Sequence, residues 1–224
     1  MTVDAVLEVA AKRSFASALD WPGWSRGGRS PDDALAALIA YGPRFAAVAR
    51  QAGQGFEVPD SVGAISVKER VRGSSGTEFG IPSTPARAEE EPIAGDLDRL
   101  IALLRAAWDT FDEAMAAGNG RRLATGPRGG GRDLARIVDH VRDAEVAYLS
   151  KLGSRAPAAP VVSSPEGHSA LRTAFVEALT AIAAGEPVPT PSRTQKLWSP
   201  RYAVRRTAWH ALDHAWELQD RVQP

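Results

Sequence analysis

The stretch Trp198-Ser-Pro-Arg-Tyr-Ala-Val-Arg-Arg-Thr-Ala-Trp-His-Ala-Leu-Asp-His-Ala-Trp-Glu-Leu-Gln-Asp-Arg221 carries every signal of one long helix. Ser199 before Pro200 is an N-cap followed by a proline at the first helical position, where its missing N–H costs nothing. No glycine or further proline interrupts the run before Arg221. On a wheel of about 100° per residue, Val204, Ala208, Ala211, Leu212, Ala215 and Leu218 make one apolar arc, which Trp209 and Trp216 extend. His210 and His214 stand one turn apart at its border, so both imidazoles can reach one point in space. A helix supplies two metal ligands in this way, and a third must come from another segment.

The chain has 224 residues, enough for one large domain or two small ones with a real core. Lysines and arginines number 27 and so do the acids, so the net charge is zero. A neutral chain lacks the basic footprint that nucleic-acid binding needs. There is no cysteine, which excludes disulfides, thiolate ligands and a cysteine nucleophile. The N-terminus has neither a basic region nor a long apolar run, and no segment approaches the length of a membrane span. The expectation is a soluble cytoplasmic protein.

From the N-terminus, Val6–Ala10 and Ser14–Leu19 read as two strands around a turn at Lys12-Arg13. Asp20 to Trp24 is a turn, and a polar run follows it to Ser30. Ser30-Pro31-Asp32-Asp33 opens a helix that carries Leu35, Leu38 and Ile39 inward and continues, bent, past Pro43 toward Val48. Ala64–Arg72 alternates like a strand. Residues 1–81 therefore read as a small ββαβ unit. Residues 82–92, rich in proline and acids, have linker chemistry, with an ordered strap as the alternative.

Beyond them the pattern turns helical. Leu97, Leu100, Ile101, Leu104, Trp108 and Phe111 recur at spacings of three and four, as do Leu134, Ile137, Val138, Val141, Tyr148 and Leu152. Ser164-Pro165 opens a third helix bearing Leu171, Phe175, Leu179 and Ile182. With the last helix this makes an all-α four-helix bundle over residues 93–224, and an α+β protein overall. Gly126–Arg132 is glycine-rich but lacks the Lys-Ser/Thr of a phosphate loop, and reads as a loop.

Four histidines are present: His140, His168, His210 and His214. His140 falls on the flank of the second bundle helix, so three of the four lie on two helices that a bundle can bring together. A three-histidine site leaves positions open, as catalytic sites do. A histidine on a helix flank also serves as a plain surface or hydrogen-bonded residue, and spacing alone does not separate the two.

Leu134-Ala-Arg-Ile-Val-Asp-His140-Val-Arg-Asp-Ala-Glu145 and Ala208-Trp-His210-Ala-Leu-Asp-His214 together resemble the DinB-like superfamily, relatives of which are mycothiol-dependent maleylpyruvate isomerases and bacillithiol transferases. The resemblance implies a four-helix bundle with His140, His210 and His214 as ligands of a divalent metal, zinc or nickel first. It brings a low-molecular-weight thiol into view as cofactor. Phe15-Ala-Ser-Ala-Leu-Asp-Trp-Pro-Gly-Trp24 and Gly28-Arg-Ser-Pro-Asp-Asp-Ala-Leu35 resemble the HicB antitoxin-type fold, although Trp24 stands where a small residue is common. No DNA-binding segment follows, so this unit reads as an accessory lid or dimerisation piece.

Glu145 projects near the middle of its helix's apolar stripe, where an ionised carboxylate needs a partner. A structural pairing inside the bundle and support of a metal ligand are its two readings. Asp213 and Glu217, beside the histidine pair, read as solvated charges. Arg201, Arg205 and Arg206 crowd the first turns of the last helix, against its dipole. They pair with acids of neighbouring helices or form an anion site near the metal. The functional expectation is a metal-dependent thiol transferase or hydrolase acting on a small molecule, with a homodimer left open. The alternative is a non-catalytic interaction or stress-response protein.

Overall fold

The computed structural model describes residues 2–125, 131–156, 164–188 and 196–223. The two N-terminal apolar runs form β1 (Val3–Val9) and β2 (Ser14–Ala18), antiparallel, with Leu7 opposite Ala16. A third strand follows that the sequence pattern does not show, β3 (Ser25–Gly28), antiparallel to β2. Its polar, glycine-rich run has no apolar alternation, and backbone pairing alone makes it a strand. Gly27 lies under the Phe15 ring, where an added Cβ would come within 2.8 Å. β4 (Ile65–Arg72) pairs parallel with β1, completing a sheet of order β3-β2-β1-β4.

α1 (Pro31–Ala40) starts as expected, with Ser30 Oγ accepting from the Asp33 amide at 3.1 Å and the Asp33 carboxylate accepting from the Ser30 amide. It stops at Tyr41 instead of bending onward, and α2 (Gly42–Gln51) begins anew. Pro43 has no N–H for a continuing helix, whereas in the first turn of a new one that donor is not needed. The N-terminal order is thus βββααβ, not ββαβ. A short α3 (Ser75–Phe79) follows β4.

The four apolar-striped segments become α4 (Leu97–Gly118), α5 (Leu134–Lys151), α6 (Pro165–Ala183) and α7 (Pro200–Arg221). α7 packs on α4 and α5, α5 on α6, and α6 on α4. The protein is therefore mixed α+β, with a four-stranded sheet and seven α-helices among the described residues. None of these helices is long and apolar enough to cross a membrane.

α7 is not the amphipathic helix of its wheel. Sixteen of its 22 residues are buried, including Arg205, Arg206, His210 and His214. What covers its second side is the N-terminal region. Phe15 of β2 meets Trp209 edge-on at 6.0 Å, and Arg26 bonds Asp213 at 2.9 Å. Gly23, in the turn after β2, has φ +97° and lies against Ala208 and Leu212, where an added Cβ would come 2.8 Å from Leu212 Cδ1. Both the backbone angle and the space require glycine there. One continuous core joins Leu7, Trp24, Leu38 and Phe45 to Leu104, Phe111 and Leu212. Burial of each such side chain contributes ~1.5–3 kcal/mol.

Residues 82–92 lie across α7. Ala86 and Glu89 are buried, and a single 3-10 turn spans Arg87–Glu90. Glu8 of β1 is buried too, its carboxylate receiving the hydroxyls of Thr77 and Thr84 and the Ser83 amide.

Candidate metal centre

α5 and α7 lie side by side, and this brings the three expected histidines together. One ligand nitrogen from each of His140, His210 and His214 lies within 4.8 Å of the others. The ring centroids form a nearly regular triangle, 5.0 Å for His140–His210, 5.1 Å for His140–His214 and 4.8 Å for His210–His214. Nε2 of His140 and Nε2 of His210 are 3.2 Å apart. Two nitrogens bound to one tetrahedral zinc, each about 2.0–2.1 Å from it, would be roughly 3.3–3.4 Å apart. The three ligand nitrogens therefore lie close enough to hold one metal ion.

Two of the three rings also have their cationic form disfavoured. Burial pushes the His210 imidazolium well below the usual histidine range, helped by His214 and Arg206. His140 is lowered by the same desolvation and by His214. Neutral rings offer the lone pairs a metal needs. His214 is oriented by its other nitrogen, since Nδ1 lies 2.9 Å from Glu217 Oε2. Glu217 also receives Arg221, and the bond to His214 is the main reason its carboxyl is held below the usual range. A carboxylate on the distal nitrogen of a ligating histidine fixes its tautomer and raises its basicity. Sequence reasoning passed over Glu217 as a solvated charge. Its signal was there in the spacing, three residues after His214 and four before Arg221.

The other expected site residues are placed differently from one another. Glu145, 2% exposed, faces α6 and meets His168 Nε2 at 2.7 Å, with Arg172 Nε at 3.5 Å. No hydrogen bond or ion pair joins it to any of the three clustered histidines. Arg201 bonds Asp96 at 3.0 Å and the Pro92 carbonyl. Arg205 is enclosed, donating to both oxygens of Glu89, to Ser17 and to the Thr84 carbonyl. Both arginines thus answer to acids outside the four long helices. Among the described residues no carboxylate is bonded to Arg206, which lies over the rings of Tyr148 (5.1 Å) and Trp209 (4.7 Å). Of the glycine-rich stretch, residues 126–130 fall outside the described ones.

A cavity of about 440 Å³ opens between α4, α5 and α6, lined in part by Trp108, Asp112, His168 and Arg172. None of the three clustered histidines lines it, so the chemistry of the donor set, not cavity size, identifies the candidate site. No protein-family model matches the chain, and neither curated proteins nor solved structures include one that matches it.

Proposed function

We propose that this chain is a divalent-metal protein of the DinB-like four-helix-bundle type, in which His140, His210 and His214 hold zinc or nickel. We further read it as a metal-dependent thiol transferase or hydrolase of a small molecule, with the HicB-like N-terminal unit as a brace. The observation that carries this reading is the convergence of three imidazoles from two helices. Three protein ligands leave coordination open for a reacting group. When bound, the metal supplies a Lewis acid that polarises a substrate oxygen or activates a thiol or water.

The chain's own residues have separable tasks in this reading. Glu217, itself held by Arg221, fixes the His214 ring through Nδ1 and leaves Nε2 for a metal. α7, clasped by sheet, strap and helices, keeps the His210–His214 pair at fixed spacing. His140, on the more exposed α5 face, closes the triangle.

Elemental analysis of the purified protein and of His214→Ala tests the reading. Near-stoichiometric metal is expected in the first and a drop to background in the second, with both folded by circular dichroism. Equally negligible metal in both, after incubation with zinc or nickel, overturns it.

A further inference from the structure

Among the described residues, Arg206 is buried without an opposite charge bonded to it. It is 6% exposed, and its Nη1 has no hydrogen-bond partner among the described residues. Leaving a buried donor unsatisfied costs about 1–3 kcal/mol, and more when the group is charged. Its neighbour Arg205 shows what this fold does with a guanidinium that is only architectural, since that one is met by both oxygens of Glu89. Asp213, the acid whose field reaches Arg206, is bonded to Arg26 at 2.9 Å.

The position of Arg206 matters as much as its lack of a bonded carboxylate. Four residues before His210 on α7, it stands about 40° around the helix and roughly 6 Å along its axis from that ring. Tyr148 connects the two, 5.1 Å from the Arg206 guanidinium and 5.8 Å from the His210 ring. Trp209 also neighbours both, at 4.7 Å and 6.2 Å. Arg206, Tyr148, Trp209 and the histidine triangle therefore border one region. Its charge is one-sided, because the one carboxylate bonded to the three histidines, Glu217, is already met by Arg221. A divalent ion there would add to the cation at Arg206.

We infer that Arg206 receives the carboxylate of a ligand whose other end occupies the open side of the His140/His210/His214 centre. This deepens the metal reading above and rests on it. A planar guanidinium with a free N–H matches a carboxylate in geometry and charge, and the two aromatic walls exclude the water that would screen it. The carboxylate can belong to the reacting substrate or to a thiol that accompanies it.

Cobalt(II)-loaded protein tests this by its visible spectrum, which reports both metal uptake and ligand binding. The probes are 3-mercaptopropionate, 2-mercaptoethanol and acetate. With Arg206 as receptor, 3-mercaptopropionate binds at least tenfold more tightly than 2-mercaptoethanol. That preference falls to near unity in Arg206→Gln and is partly kept in Arg206→Lys, with cobalt uptake unchanged. Saturable binding of acetate that weakens in Arg206→Gln assigns the site to carboxylates as such; a preference seen only with the mercapto acid assigns it to carboxylate-bearing thiols. Equal affinity of the wild type for the two thiols, without saturable acetate binding, overturns the inference and leaves the metal reading standing. So does a preference that survives in Arg206→Gln. Absence of a cobalt spectrum in the wild type removes both.

Discussion

Two polar clusters are buried on different sides of α7, and they are built on opposite principles. On the side facing the sheet and residues 82–92, Arg205 and Glu89 satisfy each other, with Ser17 and the Thr84 carbonyl taking further donors. On the side facing α5, three imidazoles each bring one ligand nitrogen within 4.8 Å of the others, and His210 Nδ1 and Arg206 Nη1 have no hydrogen-bond partner among the described residues. Arg205 and His210 are about 140° apart around the same helix. A buried polar group that is fully met holds a fold together. One that is left wanting, at a cost, is poised for something from outside.

The sharpest way to break this contrast is Glu89→Ala. Removing one partner of a buried pair leaves the other charge uncompensated, so a loss of about 3–5 kcal/mol is expected in urea unfolding. Metal content per folded molecule should be unchanged. If stability holds and metal is lost instead, the roles of the two clusters have been assigned the wrong way round.

A smaller effect, confined to the other cluster, is expected of Glu217→Gln. The His214 ring would keep a neighbour of similar shape but lose the charge on Nδ1, and metal affinity should weaken about 10–100-fold. Competition with a chromophoric chelator reads this directly, and an unchanged affinity would remove Glu217 from the support of the site.

The smallest expected effect sharpens the architectural side. Burial raises the Tyr202 phenol to about 12, against the partly offsetting charges of Arg205 and Arg206. The unfolded chain gives up that proton near pH 10, roughly its ordinary value, while the folded protein retains it. Stability from this group is therefore complete below about pH 10 and declines as the pH rises toward 12. Tyr202→Phe should make the fall in urea midpoint between pH 8 and pH 11 shallower. An identical fall in both proteins would mean that the phenol ionises as freely folded as unfolded.

Much of the histidine site could be read from the chain because its determinants are local. His210 and His214 share a helix whose start is signalled by Ser199-Pro200, and His140 lies inside an equally periodic segment. The structure keeps that start, although Ser199 Oγ makes no capping bond. What could not be read depends on partners far along the sequence. Glu89, which meets Arg205, is 116 residues away in a stretch with linker composition. β3 has no side-chain pattern at all, because glycine is needed for Phe15 to lie across it. The wheel of α7 counts only its own apolar residues, so it could not foresee a second wall of protein closing over Arg205 and Trp209.

The enclosure of α7 has a bearing on how long the site persists. Segments with few neighbours fray and reclose many times before a protein unfolds, whereas a helix gripped on all its faces is released only when the whole molecule comes apart. The two imidazoles on α7 thus inherit the lifetime of the entire fold. Any breathing that admits or discharges a ligand falls to α5 and the half-exposed ring of His140.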